Sequence, residues 1–524
     1  MMKTSPQGRR CNGAGARIVL LLALVITGGC ASVDFDYPKT DTRALTDTAG
    51  TTWGSKVAPL VTAHPDLSGF HLLTDGIDAL AARLLLAKGA ERSLDAQYYL
   101  ITNDDIGLLF IGALLQAADR GVRVRLLLDD IQTKGYDAGM AALDALPNFE
   151  VRIFNPFAGR SSRIGDSLGD FSRINRRMHN KSFTVDNQIT IIGGRNIADE
   201  YFAAREDVNF GDVDVLGIGP VVNDVSAMFD TYWNDVAAVP VPAFARMPDD
   251  PAAALLRLRA RIDEVRTRLA DSAYAESLRA DVSRYLDSDG SMFTWAPYIL
   301  AYDAPDKARK RNREQPARSI VATLAEAVER AERELLVVSP YFVPRESGLE
   351  FFRQLRERGV KVTIITNSLA ATNHSIVHSG YAPSRKPLLE MGVRIFEMKY
   401  NVPPEGVERG GKGAPLATLH TKAFLVDREE LFIGSFNWDP RSVNINTELG
   451  VIIQSAQLGA SVGTLVDEHL NDRAYEVVLN DRGKLRWIDR GGPCPVIVDK
   501  EPGAGFWRRF NAQAMRILPI RGQL

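Results

Sequence analysis

HNKSFTVD at 179–186 and HTKAFLVD at 420–427 place His, Lys and Asp in one frame twice, 241 residues apart (420 − 179). In a strand, residues i and i+2 share a face, so His179 projects with Lys181 and His420 with Lys422. Phe183 and Val185, like Phe424 and Val426, continue each row into apolar surroundings. The His–Lys pair therefore belongs at the strand's entry, at a cleft or sheet edge, with Asp186 and Asp427 at the turn beyond. With seven His in the chain and Lys and Asp each near ~5%, H-x-K-x4-D is expected roughly 0.02 times by chance. Two copies mark a duplication.

Working outward, the duplication stays legible. RGVRVRLLLDD (120–130) is answered by RGVKVTIITNS (358–368), VRIF (151–154) by VRIF (393–396), and LDAQYYL (94–100) by LLVVSPYFV (335–343). Apolar-periodic helices alternate with these strands, which argues for α/β units with a mixed or mostly parallel sheet. A repeat this long means two homologous domains rather than a solenoid, whose periods are about 20–50 residues. We expect a first domain over 65–238, a linker with an inserted helix over 239–290, a second domain over 291–480 and a tail over 481–524.

Seven residues after each Asp comes a small-residue turn, GGRN (193–196) and GSFN (434–437), so that Asn196 and Asn437 add neutral donors. Each half thus supplies an imidazole, an ammonium and an amide. A buried Lys beside a His serves no packing purpose. The set suits a phosphodiester: a neutral imidazole can attack an anion that repels carboxylates, and fixed Lys and Asn donors hold the charge of the five-coordinate transition state. One His attacks while the other protonates the leaving alcohol and then deprotonates the acceptor, a two-step route through a phosphohistidine. Each His also needs an acceptor on its other ring nitrogen. Glu448 in NTELGVII serves downstream of the second copy; downstream of the first, GDVDVLGIGP offers Asp212, with Asp214 in reserve. Asp186 and Asp427 are expected to be structural.

Composition narrows the partners. The chain has 524 residues, 45% hydrophobic and 24% charged, with a net charge of −2, which is globular and gives no general pull toward nucleic acid. Cys11, Cys30 and Cys494 make no disulfide framework, and no CxxC or HExxH occurs, so no metal or cofactor is expected. Lys3, Arg9, Arg10 and Arg17 precede an apolar run, Ile18 to Ile26, that ends in TGGCAS, the layout of a secretory signal over 1–30. Its small-small-Cys ending resembles a bacterial lipoprotein signal, which implies lipidation at Cys30; ordinary secretion or a retained anchor are the alternatives. A polar tether would then span 31–64. The basic run KARKRNRE (307–314) is read as a solvated loop, with contact to lipid phosphates as the alternative. In FWRRFNAQAMRIL (506–518) Phe506, Trp507 and Phe510 share a helical face with the arginines off it. That face suits either a membrane interface or the protein's own core.

Together HNKSFTVD–GGRN and HTKAFLVD–GSFN resemble the paired HKD motifs of the phospholipase D superfamily. The segment DFSRINRRMHNKSFTVDNQITIIGGRNIADEYF (170–202), with SPYFVP, TNSLAA and GSFNWDPRS, is similar to bacterial cardiolipin synthases. The resemblance implies two tandem phospholipase D-like domains, each a mixed β-sheet flanked by helices, with one active site at their pseudo-twofold interface. It implies transfer of a phosphatidyl group from phosphatidylethanolamine or phosphatidylglycerol to phosphatidylglycerol, at a membrane of the bacterial cell envelope. His179 would be the nucleophile and His420 the general acid and base. A membrane-anchored phospholipase D that releases phosphatidic acid is the alternative, and whether a protein partner is needed stays open. Arg173, Arg176 and Arg177 are candidates for a second lipid phosphate or for a solvated basic turn; His374 and His378 are candidate pocket or core residues.

Overall fold

The computed structural model describes residues 33–159, 171–205, 208–245, 247–286, 290–309, 316–400 and 416–515. The expected signal segment with Cys11 and Cys30, the basic run beyond Arg309 and the residues from Arg516 onward lie outside the described residues.

The two motif strands are Ser182–Val185 and Ala423–Val426, each in the middle of a mixed sheet. The first sheet runs in the order 294–296, 68–73, 214–218, 189–193, 182–185, 93–98, 123–129, 149–154, 238–240. The second runs 298–302, 449–454, 430–434, 423–426, 334–338, 361–367, 394–398, 474–479, 485–489, 496–498. From 214–218 to 149–154 every strand has its counterpart, in the same order, from 449–454 to 394–398. The sequence duplication is thus a duplicated topology, two tandem α/β units as expected. In each, parallel strands with helical crossovers form one side, and an antiparallel hairpin carrying the motif forms the other.

The motif's Asp closes that hairpin. Asp186 and Asn187 have φ 49° and 51°, and Asp427 and Arg428 have φ 52° and 57°. Two successive positive φ values give the tight turn whose twist matches the flanking strands, and Asp tolerates them because its short side chain bonds locally. The Asp186 carboxylate accepts the backbone N–H groups of Glu91, Arg92 and Ser93 at 2.7–3.3 Å. Asp427 accepts those of Glu332, Arg333 and Glu334 at 2.7–2.9 Å. Asp186 is buried and Asp427 half-buried. Asp186→Ala is therefore expected to lower unfolding free energy in urea by about 2–3 kcal/mol, and Asp427→Ala by about half as much. Specific activity per folded molecule should stay within about threefold, because neither carboxylate reaches the histidines.

The two sheets face one another. Phe70, Ile192 and Val215 of the first share one buried cluster with Leu300, Leu425, Leu431 and Val451 of the second. A short parallel ladder, 208–211 with 416–419, joins the halves directly. Around Pro297 the chain passes from the edge of the first sheet into the edge of the second, so the boundary expected at 291 falls inside the first sheet.

Other boundaries also move. The segment read as a polar tether is structured from residue 33, because its polar groups serve buried cations. Arg152 donates to Thr40 O at 2.7 Å and Arg125 to Thr42 O at 3.0 Å, while Lys39 donates to Ala238 O at 2.8 Å. The helix Thr52–Thr62 follows, capped by Thr51 and seated by Trp53. In place of one inserted helix there are two, Pro251–Leu269 and Ala273–Leu286, which form an outer layer on the first unit, the first through Ile262 and Val265 and the second through Tyr274 and Leu278. The expected tail contributes strands 485–489 and 496–498 to the second sheet. Among the described residues no helix is long and apolar enough to cross a membrane.

Candidate active site

The segment that leads to each histidine pairs with the segment that leads to the other half's acid, as a ladder of 416–419 with 208–211 and as a single bridge of Met178 with Thr447. His179 N–H donates to Thr447 O at 2.9 Å, one residue before Glu448. His420 N–H donates to Gly211 O at 2.8 Å, one residue before Asp212. This cross-pairing sets the side chains: His179 Nδ1 meets Glu448 Oε2 at 2.8 Å, and His420 Nδ1 meets Asp212 Oδ2 at 2.5 Å. The sequence places both acids but suggests that each serves the His of its own half; the structure exchanges them. Asp214, the reserve, is committed to Arg83 at 2.8 Å and to Arg195 at 3.4 Å.

The small-residue turns give the acids their room. A Cβ on Gly194 would stand 2.3 Å from Asp212 Oδ1. At the equivalent position of the second half, Ser435 puts its hydroxyl on Glu448, and Ser442 donates to the other carboxylate oxygen at 2.7 Å. Beneath Glu448, Asp303 accepts its backbone N–H at 3.0 Å and the Lys307 ammonium at 2.8 Å. Lys307, the first residue of the basic run read as a solvated loop, is thus a buried strut.

Lys181 and Lys422 are each 1% exposed. Lys181 Nζ donates to His179 O at 2.7 Å and lies 5.2 Å from the centre of the Tyr99 ring. Lys422 Nζ donates to His420 O and lies 3.1 Å from His420 Nε2. Asn196 and Asn437 are buried alongside. Asn196 Nδ2 donates to the Tyr201 hydroxyl at 2.8 Å, and that hydroxyl lies 3.5 Å from His420 Nε2. Phe210 stacks on the His420 ring at 5.3 Å and Tyr99 meets the His179 ring edge-on at 4.9 Å. Sequence reasoning missed these aromatics. Only the placement of Tyr99 and Tyr341 in the repeated strand-end segments LDAQYYL and LLVVSPYFV hinted at them.

Burial dominates the electrostatics. It drives His179 down to about 4 and His420 to about 3, with Lys422 pushing His420 the same way. Burial also holds Lys181 well below the usual ammonium range and Lys422 at about 8. It works to raise Asp212 and Glu448, but the neighbouring donors win and hold both below the ordinary value, Lys422 and His420 at the first and His179 and Lys181 at the second. At neutral pH the site therefore holds two neutral imidazoles, each giving Nδ1–H to a carboxylate. Among the described residues Nε2 of His179 has no hydrogen-bond partner, whereas Nε2 of His420 faces Lys422 and Tyr201.

The remaining candidates fall outside this centre. Arg177 is buried against Asp129 at 3.3 Å, Arg173 donates to Asn155 Oδ1 at 2.8 Å, and Arg176 reaches Asn444 O at 3.2 Å. These guanidiniums brace the fold and the interface rather than form a solvated turn. His378 is buried with Nε2 3.5 Å from Glu501. His374 packs on Tyr341, whose ring lies 6.4 Å from that of His420. Among the described residues no group of three or more His, Cys, Asp or Glu side chains is arranged to hold a metal ion.

A family model described as "Cardiolipin synthase, PLD-like domain" matches residues 84–233 and 324–470, one stretch for each half of the site. The chain belongs to the cardiolipin synthase family of phospholipase D-like proteins. It is 40% identical over 477 residues to cardiolipin synthase C of Escherichia coli K12, covering 89% of this chain and 98% of that one. It is 29% identical over 520 residues to an uncharacterized protein of Helicobacter pylori 26695, covering 96% and 99%. Among solved structures, the phosphatidylserine synthase of Haemophilus influenzae Rd KW20 aligns over 90% of this chain and 100% of its own, with a TM-score of 0.56 at 12% identity. That likeness is one of fold.

Proposed function

We propose that this phospholipase D-like enzyme is a phosphatidyltransferase that makes cardiolipin, taking the phosphatidyl group of phosphatidylethanolamine or phosphatidylglycerol and passing it to a glycerol hydroxyl of phosphatidylglycerol. The observation that carries the reading is the pair of buried imidazoles, each with Nδ1 on a carboxylate from the other half and a buried lysine of its own motif beside it. Kinship with cardiolipin synthase C along most of both chains supports the substrate class.

In the first step His179 Nε2, whose lone pair is free, attacks phosphorus. The phosphorus–oxygen bond to the headgroup breaks, and His420 protonates the departing oxygen. Lys181, Lys422, Asn196 and Asn437 hold the non-bridging oxygens. Held at about 3, the His420 ring is almost wholly unprotonated at neutral pH and has no proton to give. The incoming phosphodiester works against this: its negative charge offsets the two lysines and favours the protonated ring. In the second step His420 takes the proton of the acceptor hydroxyl, which attacks the phosphohistidine and releases His179. Glu448 stabilises the cationic phosphohistidine, and Asp212 the imidazolium.

Burial suits the transfer as well as the charge. A phosphohistidine shielded from water waits for a lipid alcohol rather than being hydrolysed. Mass spectrometry of the lipids after incubation with phosphatidylglycerol and phosphatidylethanolamine vesicles decides the matter. Cardiolipin, with release of ethanolamine or glycerol, is the expected product; phosphatidic acid without cardiolipin would make the enzyme a hydrolase. We place the enzyme at the surface of a bacterial envelope membrane, exported and lipidated at Cys30.

A further inference from the structure

The helix Phe506–Met515 is turned the wrong way round for a helix in water. Phe506, Trp507 and Phe510 are 66%, 71% and 53% exposed, and their rings pack on one another with centroids 5.4–6.4 Å apart. The arginines between them face the protein: Arg508 donates to Thr372 O, and Arg509 to Ala504 O at 2.6 Å. Ala504 and Ala512 bury against Leu369. Of the two faces the sequence left open to the aromatics, the core is thus excluded. Other exposed apolar side chains lie on the last strand. Val496 and Ile497, on the last strand of the second sheet, are 58% and 57% exposed, and Val496 lines a shallow cavity with Ala370, Pro502 and Gly503. An exposed aromatic cluster of this kind marks a partner.

Its position says which partner. The helix sits on the loop Leu369–Thr372, and that loop holds the approach to the second motif. Thr418 Oγ1 donates to Ala371 O at 3.2 Å, and Asn367 exchanges bonds of 2.9 and 3.1 Å with the backbone of Leu419, the residue before His420. The exposed aromatics are therefore mechanically continuous with the catalytic strand. Diacyl phospholipids stay in a bilayer, so a site acting on them must be held at its surface. Trp and Phe have the amphipathic or apolar bodies that settle there. The sequence beyond the helix, RILPIRGQL, continues the same mixture of apolar and basic residues.

We propose that Phe506, Trp507 and Phe510 insert into the surface of a phosphatidylglycerol-containing bilayer and hold the His420 side of the site against it. The proposal rests on the phosphatidyl-transfer reading for its substrate and on the exposed patch for its place. Two measurements on the full-length protein test it. Vesicles with brominated acyl chains should quench Trp507, seen as the difference between wild type and Trp507→Phe; equal quenching of the two would overturn the proposal. The variant Phe506→Ser/Trp507→Ser/Phe510→Ser should lose about tenfold or more in turnover of phosphatidylglycerol vesicles. It should retain turnover of short-chain phosphatidylglycerol below its micellar concentration within about twofold, since no reacting group is touched. Equal loss on both substrates would reduce the patch to a structural one. A changed sedimentation coefficient with undiminished vesicle turnover would assign it to a second copy of the chain. A wild type that turns over neither lipid would defeat the transferase reading, and the quenching measurement would still decide the docking.

Discussion

His179→Asn is expected to lower phosphatidyl transfer by about 10⁴-fold or more and to leave no phosphoenzyme, whichever donor is offered. Asn keeps a polar group of similar reach, so the site stays folded while the nucleophilic nitrogen is lost. His420→Asn should behave differently because its role depends on the leaving group. With phosphatidylethanolamine or phosphatidylglycerol the departing alkoxide needs a proton, and removing its donor should cost about 10²–10⁴. With a p-nitrophenyl phosphatidyl ester the leaving group departs unprotonated. The first step then survives, and a phosphoenzyme accumulates because the second step lacks its base. Rapid quench with ³²P-labelled ester reads this directly. A burst in His420→Asn with none in His179→Asn assigns the order. The opposite pattern would exchange the two roles.

The order rests on an asymmetry that the repeated motif conceals. HNKSFTVD and HTKAFLVD are near-equivalent strings, so the sequence delivers both histidines, both lysines and the two hairpins. It also delivers both asparagines, which recur at one offset from their histidines (196 − 179 = 437 − 420), and the two acids, which lie downstream of each motif at unequal offsets. What it does not deliver is whatever depends on chain segments meeting across the interface. Tyr201 and Phe210 come from the first half yet surround His420 of the second. No spacing rule marks an aromatic whose partner lies more than 200 residues away. The polar segment from residue 33 departs from the expected tether for a related reason. Its Thr and Asp content resembles a tether until one knows that Arg125 and Arg152 are buried beneath it and need carbonyl acceptors. Composition reports what a segment lacks for a core of its own, not what it supplies to another.

The exchanged acids carry the second large expectation. Asp212→Asn should reproduce His420→Asn, and Glu448→Gln should reproduce His179→Asn in kind though not in full. An amide in place of the carboxylate cannot stabilise the imidazolium and favours the wrong tautomer, at a cost on the order of 10³ in turnover. On the p-nitrophenyl ester Asp212→Asn should keep its burst and Glu448→Gln should lose most of it, because only Glu448 supports the attacking ring. Groups that act as one unit are not additive, so His420→Asn/Asp212→Asn should be little worse than His420→Asn alone. A double variant that instead combined fully would mean that Asp212 acts through something other than His420. The geometry gives the reason for such wiring. Gly211 and Thr447 accept the backbone N–H groups of His420 and His179 from across the interface, one residue before each acid. Closing the two halves therefore positions the histidines and fixes their tautomers in one event. Neither half by itself holds a histidine together with the carboxylate that orients it, so the proposed transfer requires both halves in place.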